Sequence, residues 1–139
     1  MKRLFGYVMA LLPLACASCG NTSGLYPVSG TVTYKGKPAA GAAVFLQRKG
    51  SDLLNEHTIM GIVEEDGGFT LVCGSIGKGA PPGAYDVLIE WRQDLNPAKG
   101  LARKGHDRLK GRYADPKRPR LQAVVKAETN HLPPFELTD

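Results

Sequence analysis

The sequence predicts an all-β protein: a small β-sandwich of about seven strands, with a basic, partly irregular insertion before the last strands. Apolar residues alternate with polar ones in short runs, which are separated by Gly, Pro and Asp. Such alternation is typical of half-buried strands. The 139 residues include 17 glycines and 10 prolines, a turn-rich composition that disfavours a helical bundle. Hydrophobic residues make up 42% of the chain, which is enough for one small core.

The clearest strand follows the Pro81-Pro82-Gly83 turn. Four of its side chains are predicted to face the core: Tyr85, Val87, Ile89 and Trp91. Asp86 and Glu90 alternate with them and are predicted to be exposed.

Other short runs predict the remaining strands: residues 28–34, 42–46, 58–63, 69–73, 121–125 and 135–137. Lys35-Gly36 and Asp66-Gly67 mark tight turns between them, because glycine adopts positive φ without steric cost. Cys73 is in phase with Phe69, so its thiol is predicted to lie in the core and to be inert.

Residues 92–120 form the insertion, and their composition differs from that of the strands. They carry ten Lys or Arg and three Asp, a charge of +7, whereas the whole chain carries +5. Leu109 and Tyr113 are spaced as on one helical turn, so we expect them to anchor this segment to the sandwich. Residues 96–105, rich in charge and glycine, are expected to be mobile.

An export signal is predicted at the beginning of the sequence. Met1-Lys2-Arg3 is basic, residues 4–14 are mainly apolar, and small residues and cysteines follow. This order is that of a secretory signal peptide, and the apolar stretch is too short for a transmembrane helix. The sequence therefore divides into a signal peptide (1–18), a flexible tether (19–24) and one domain (25–139).

The cysteine that follows the apolar stretch resembles the lipidated cysteine of a bacterial lipobox. Cys19 follows Ala17 and Ser18 and precedes Gly20, although Cys16 stands where that motif prefers leucine. Lipidation of Cys19 is the favoured interpretation, plain secretion after residues 15–17 is the second, and lipidation of Cys16 is the third. After lipidation at Cys19 only Cys73 remains, which leaves no intramolecular disulfide.

A known family resembles the first part of the domain. Residues 28–46, the turn at 65–69 and the Gly83-Ala84-Tyr85 strand entry resemble carboxypeptidase regulatory-like domains, over residues 25–91. The resemblance implies a transthyretin-like or immunoglobulin-like sandwich that has no peptidase activity. Residues 107–113 and 132–137 look like the C-terminal part of small lipoproteins that are abundant in planctomycete bacteria.

No catalytic, cofactor-binding or metal-ligating set stands out in the sequence. His57, His106 and His131 lie far apart and outside any metal-ligand spacing. Ser51 and Ser75 lack the context of an activated nucleophile. Residues 74–79 lack the order of a P-loop and read as a flexible loop.

These features predict a non-enzymatic, membrane-tethered module of the cell envelope with a structural or binding role. Its expected partners are the membrane, through the lipid anchor, and an anionic envelope surface or envelope protein. Nucleic acid is not expected, because the protein is exported and few aromatic residues accompany the basic stretch. The alternative is an accessory domain that presents an acidic, ligand- or metal-binding loop (Glu64, Glu65 and Asp66) to a partner enzyme.

Overall fold

The computed structural model describes residues 23–50, 57–92 and 105–139, and these residues form strands and turns without a helix. The strands are β1 (Val28–Tyr34), β2 (Lys37–Pro38), β3 (Ala43–Arg48), β4 (Ile59–Ile62), β5 (Gly68–Thr70), β6 (Val72–Cys73), β7 (Gly77–Lys78), β8 (Gly83–Glu90), β9 (Leu121–Val125), β10 (Asn130–His131) and β11 (Phe135–Leu137). Seven of them have three or more residues, and the all-β prediction is confirmed.

Several predicted features lie outside the described residues. These are the signal peptide 1–18, both Cys16 and Cys19, most of the tether 19–24, and residues 93–104 of the insertion. Gly105, the last residue of the stretch expected to be mobile, is described and buried. In the described ranges, no helix is long and apolar enough to cross a membrane.

The strands form two sheets. In the five-stranded sheet, β1 pairs in parallel with β10 and β11 and antiparallel with β2 and β5. The six-stranded sheet has the order β7-β6-β4-β3-β8-β9, and all its pairs are antiparallel. The parallel pairs join the beginning of the domain to its end.

The core lies between the two sheets and contains the side chains predicted for β8. Tyr85, Val87 and Ile89 are at most 1% exposed, and Trp91 is 8% exposed. The Tyr85 hydroxyl donates to the Pro81 carbonyl oxygen at 2.7 Å, which satisfies its polar atom at the rim. The predicted inward face of β8 is confirmed.

The outward face of β8 differs from the prediction. Asp86 and Glu90 are half-buried rather than exposed. β8 lies inside the sheet between β3 and β9, so Asp86 stands in register with Gln47 on one side and Gln122 on the other. Side chains on both neighbouring strands cover part of its surface, which alternation along one strand does not reveal.

The two sheets approach each other closely at Gly61 of β4. A Cβ atom on Gly61 would lie 2.4 Å from the backbone oxygen of Thr70, which belongs to β5 in the other sheet. Only glycine fits this approach, because the obstacle is backbone rather than a movable side chain.

Two local predictions are wrong. Residues 74–79 do not form a flexible loop: they belong to the β6–β7 hairpin, in which the Ile76 N–H donates to the Cys73 carbonyl oxygen at 2.9 Å. The segment around Leu109 and Tyr113 is a series of turns rather than a helical turn, because Lys110 and Gly111 have φ of 54° and 73°.

Both predicted anchors of the insertion are buried nevertheless. Leu109 is 5% exposed and Tyr113 is 8% exposed. The Ile89 N–H donates to the Tyr113 carbonyl oxygen at 2.9 Å, and the Thr138 N–H donates to the Tyr113 hydroxyl oxygen at 3.1 Å. The turns that follow residue 105 are therefore hydrogen-bonded to β8 and to Thr138, the residue after β11.

Candidate functional site

In the acidic turn (Glu64, Glu65 and Asp66), one carboxylate accepts a hydrogen bond from the backbone of the turn itself. The Gly68 N–H donates to Asp66 Oδ1 at 2.9 Å, and the Gly67 N–H donates to the Glu64 carbonyl oxygen at 3.0 Å. Asp66 thus stabilises the turn that leads into β5. Across residues 23–50, 57–92 and 105–139, no three His, Cys, Asp or Glu side chains are grouped as metal ligands.

The three histidines are exposed, and they lie on separate parts of the fold. His131 forms a contact that the sequence analysis missed: its Nδ1 lies 2.8 Å from Ser29 Oγ, across the β1–β10 pair. A serine nucleophile needs a base that is oriented by a third group. In the described part of the chain, no carboxylate pairs with the His131 ring, so this contact reads as a link between two strands.

The remaining candidate nucleophiles are Ser51, Ser75 and Cys73. Ser51 lies outside the described residues, and Ser75 is exposed in the β6–β7 turn. Cys73 is 3% exposed in the core, and this burial raises the pKa of its thiol. The predicted inward orientation of Cys73 is confirmed.

The most distinctive surface feature is a cleft where β1 and β8 end, which we call the basic cleft. Its volume is about 420 Å³, and it is lined by Tyr34, Lys35, Lys37, Pro38, Trp91 and Arg108. Aromatic walls with a few placed charges are common in sites for small molecules, and this volume is within their usual range.

Asp107 positions one wall of the basic cleft. Its Oδ1 accepts the N–H groups of Trp91 and Leu109 at 2.9 and 3.0 Å, and its Oδ2 accepts the N–H of Gly111 at 2.9 Å. One carboxylate therefore ties the end of β8 to the turns of the insertion. This arrangement fixes the backbone on both sides of Arg108.

The Arg108 guanidinium lies over the indole ring of Trp91. The guanidinium carbon is 3.9 Å from the indole centroid, and the backbone N–H of Arg108 donates to the Trp91 carbonyl oxygen at 2.8 Å. The indole is also fixed by a hydrogen bond of its own, because its Nε1–H donates to the Ala40 carbonyl oxygen at 2.9 Å. The Tyr34 ring meets the indole edge-on at 5.5 Å and 71°. The indole is thus held in place, and the guanidinium packs over it although Arg108 is exposed.

The opposite wall is a tight hairpin. Lys35 and Gly36 both have positive φ, 49° and 78°, and they join β1 to β2 with Tyr34 opposite Lys37. Two positive φ values in a two-residue loop are typical of a type I′ turn, whose twist matches that of the strands. The turn predicted at Lys35-Gly36 is confirmed, and it holds two lysines beside the cleft.

One acidic side chain contacts these groups. The Tyr34 hydroxyl and the Lys35 ammonium both donate to the Asp139 carboxylate. The contact with Lys35 lowers the pKa of Asp139, and the contact with Asp139 raises the pKa of Lys35. Both side chains are more than half exposed, so the pair is accessible to solvent and to competing ions.

A second, smaller cleft adjoins the first and shares Arg108 with it. We call it the side cleft: its volume is about 180 Å³, and it is lined by Arg108, Leu109, Lys110, Arg112 and Asp139. Arg112 donates to the backbone oxygen of Asp139. The lining of the two clefts together contains five cationic side chains and one acidic side chain.

A groove of about 400 Å³ beside β9 is a weaker candidate. Its central polar residue, Asn130, forms hydrogen bonds with the backbone of its own loop. Asn130 accepts the Lys126 N–H at 2.8 Å and donates to the carbonyl oxygens of Lys126 and Glu128 at 3.0 and 2.6 Å. The amide group closes the loop between β9 and β10 and has little capacity left for a ligand.

Sequence reasoning identified the basic stretch but missed most of this site. The insertion supplies Arg108, Lys110 and Arg112, whereas Lys35 and Lys37 come from a hairpin about 70 positions earlier. Asp107 enters the sequence analysis as one of the three acidic residues of the insertion, without a structural role. Its position just before the Arg108–Tyr113 turns is the signal that could have indicated a turn-forming carboxylate.

The fold and the clefts define a small two-sheet β-protein with a cationic, aromatic-lined cleft. No protein-family model and no curated protein sequence match the chain. Among solved structures, the chain is similar to a DUF3823 family protein from Parabacteroides merdae, with 16% sequence identity and a TM-score of 0.37. The match covers 81% of this chain and 44% of that one, so this chain spans less than half of that protein's length.

Proposed function

We propose that the protein is a non-enzymatic module of the bacterial cell envelope that is tethered to a membrane by a lipid on Cys19 and binds an anionic envelope component. The observation that carries the proposal is the charge of the two adjoining clefts, where five cationic side chains accompany one acidic side chain. Clustered cations in a concave surface attract anionic partners and increase their local concentration.

The envelope location rests on the sequence. A basic start, a short apolar stretch and a cysteine after small residues fit an exported lipoprotein. The resemblance of residues 25–91 to carboxypeptidase regulatory-like domains supports a role in binding or structure rather than catalysis. The two-sheet fold agrees with that resemblance.

The absence of catalysis is supported by the lining of the basic cleft. Its polar groups are two ammonium groups, one guanidinium and one phenol, all of which are donors to anions. A nucleophile paired with a base is not among them.

Fractionation of cells that express the full chain tests the tether. Wild-type protein is expected in the membrane fraction, whereas Cys19→Ala is expected to be released or to remain unprocessed. Cys16→Ala is the matched control and is expected to behave as wild type. Normal processing of Cys19→Ala together with loss of anchoring in Cys16→Ala would move the lipid to Cys16. A mature protein that begins at Ser18 would refute lipidation.

Binding to dextran sulfate tests the anion site in general terms, because this polymer offers charge with little further specificity. Binding is expected at low salt and is expected to weaken steeply towards about 0.15 M salt, as screening shortens the reach of exposed charges. Lys35→Glu combined with Lys37→Glu should abolish it. Lys78→Glu, on β7 and outside both clefts, should reduce binding only slightly. Equal loss in both variants would refute the assignment of the clefts.

A further inference from the structure

The side chain that already contacts the basic cleft has the chemistry of a ligand. The Asp139 carboxylate accepts hydrogen bonds from the Tyr34 hydroxyl and the Lys35 ammonium, and Asp139 lines the side cleft together with Arg108 and Arg112. Charge-assisted hydrogen bonds of this kind are the strong ones in proteins. The same donors would suit a carboxylate that arrives from outside.

The backbone that carries Arg108 and Lys35 is fixed before any ligand binds. Arg108 is stacked on Trp91 and held by the Asp107 turn, and Lys35 projects from a type I′ hairpin. A site whose donors are already ordered loses less entropy on binding than one built from free surface side chains. This order distinguishes the cleft from a merely basic surface.

The shape and lining favour a sugar chain over two other anionic partners. The basic cleft is concave, so its lining suits a ligand that enters it better than the broad surface of a bilayer. An extended peptide would need a strand edge with free N–H groups, but Pro38 of β2 has none. The Tyr34 and Pro38 rings line the cleft beside the cations, and apolar rings of this kind suit the C–H face of a pyranose.

The side cleft extends the same chemistry. It shares Arg108 with the basic cleft and adds Lys110 and Arg112, so cations continue beyond the first concavity. A polymer with one carboxylate on each unit could place successive charges in the two clefts.

We propose that the two clefts bind a polyuronate, a polysaccharide whose sugar units carry carboxylates, and that Asp139 is an internal carboxylate that such a ligand displaces. This inference rests on the proposed function and names its ligand class. Lys35 and the Tyr34 hydroxyl then transfer from Asp139 to a sugar carboxylate. Arg108 binds a carboxylate while it remains stacked on Trp91.

Titration of the full chain with oligogalacturonate tests the proposal. Trp91 is the only tryptophan in the chain, so its emission reports directly on the cleft. Binding is expected to change that emission, and the methyl-esterified oligomer, which keeps the sugar and loses the charge, should bind at least about tenfold more weakly.

Variants separate the parts of the site. Lys37→Ala should weaken oligogalacturonate binding about tenfold, because a charge-assisted hydrogen bond is lost. Asp139→Asn should strengthen it about two- to fivefold, as expected from loss of an exposed competing ion pair. Lys78→Ala is the control and should leave binding unchanged. Unchanged or weaker binding by Asp139→Asn would refute the role of Asp139.

Competing ligands decide between this inference and the broader one. The comparison uses dextran sulfate, polyglutamate and phosphatidylglycerol vesicles at about 0.15 M salt. If any of them binds as tightly as oligogalacturonate, the site recognises charge alone and the polyuronate assignment is wrong. The proposed anion-binding function would survive that result. If none of these polyanions binds, both proposals are refuted.

Discussion

Replacing Asp107 is expected to loosen the junction between β8 and the insertion. The carboxylate accepts three backbone N–H groups, from Trp91, Leu109 and Gly111, at 2.9 to 3.0 Å. In Asp107→Ala these N–H groups lose their acceptor. The turn that places Arg108 over Trp91 then loses the carboxylate that joins it to the end of β8 through hydrogen bonds.

The size of the effect follows from those three contacts. Asp107 is half-buried, so water replaces part of each lost bond, and about 1 kcal/mol for each gives a loss of about 3 kcal/mol in the free energy of unfolding. Asp107→Asn keeps an oxygen for Trp91 and Leu109 but presents an amide to the Gly111 N–H. We expect that variant to lose about 1 to 2 kcal/mol.

Urea unfolding of the full chain, followed by the emission of Trp91, measures this difference. Asp115→Ala is the matched control, because the carboxylate of Asp115, which is also half-buried, accepts one backbone N–H, that of Lys117 at 2.9 Å, in a nearby turn. It should lose about 1 kcal/mol. If Asp107→Ala is no more destabilising than this control, Asp107 does not hold the junction.

Three other predictions test the core and the ion pair. Val87→Ala should lower the free energy of unfolding by about 1 to 3 kcal/mol, because Val87 is fully buried, whereas Val124→Ala, 60% exposed, should change it little in the same urea assay. The Cys73 thiol should resist alkylation in the native protein and react after unfolding, because burial raises its pKa and blocks access; rapid native labelling would contradict this. An NMR titration should show the Asp139 carboxyl with a pKa below 3.8, so that its stabilising contact with Lys35 is complete above that value and is lost as the pH falls through the lowered pKa. In Lys35→Ala the pKa should move back towards 3.8, and an unchanged pKa would exclude the contact in solution.

The local features of this protein follow from its amino-acid sequence. Alternation along residues 85–91 predicted which side chains are buried, and Lys35-Gly36 predicted a tight turn. Leu109 and Tyr113 were recognised as anchors although the backbone between them is not helical. These features depend on neighbours within a few residues, and such patterns are fixed by the period of a strand or the steric freedom of glycine.

The assembly of the site depends on contacts between distant parts of the chain. The register between β3, β8 and β9 half-buries Asp86, and the parallel pairing of β1 with β10 and β11 joins distant parts of the chain. The same packing places Lys35 beside Asp139 and Arg108 beside Trp91. Contacts between residues so far apart in the sequence depend on strand order and on the folding back of the insertion. Alternation of apolar residues specifies the buried face of each strand and leaves its neighbours open.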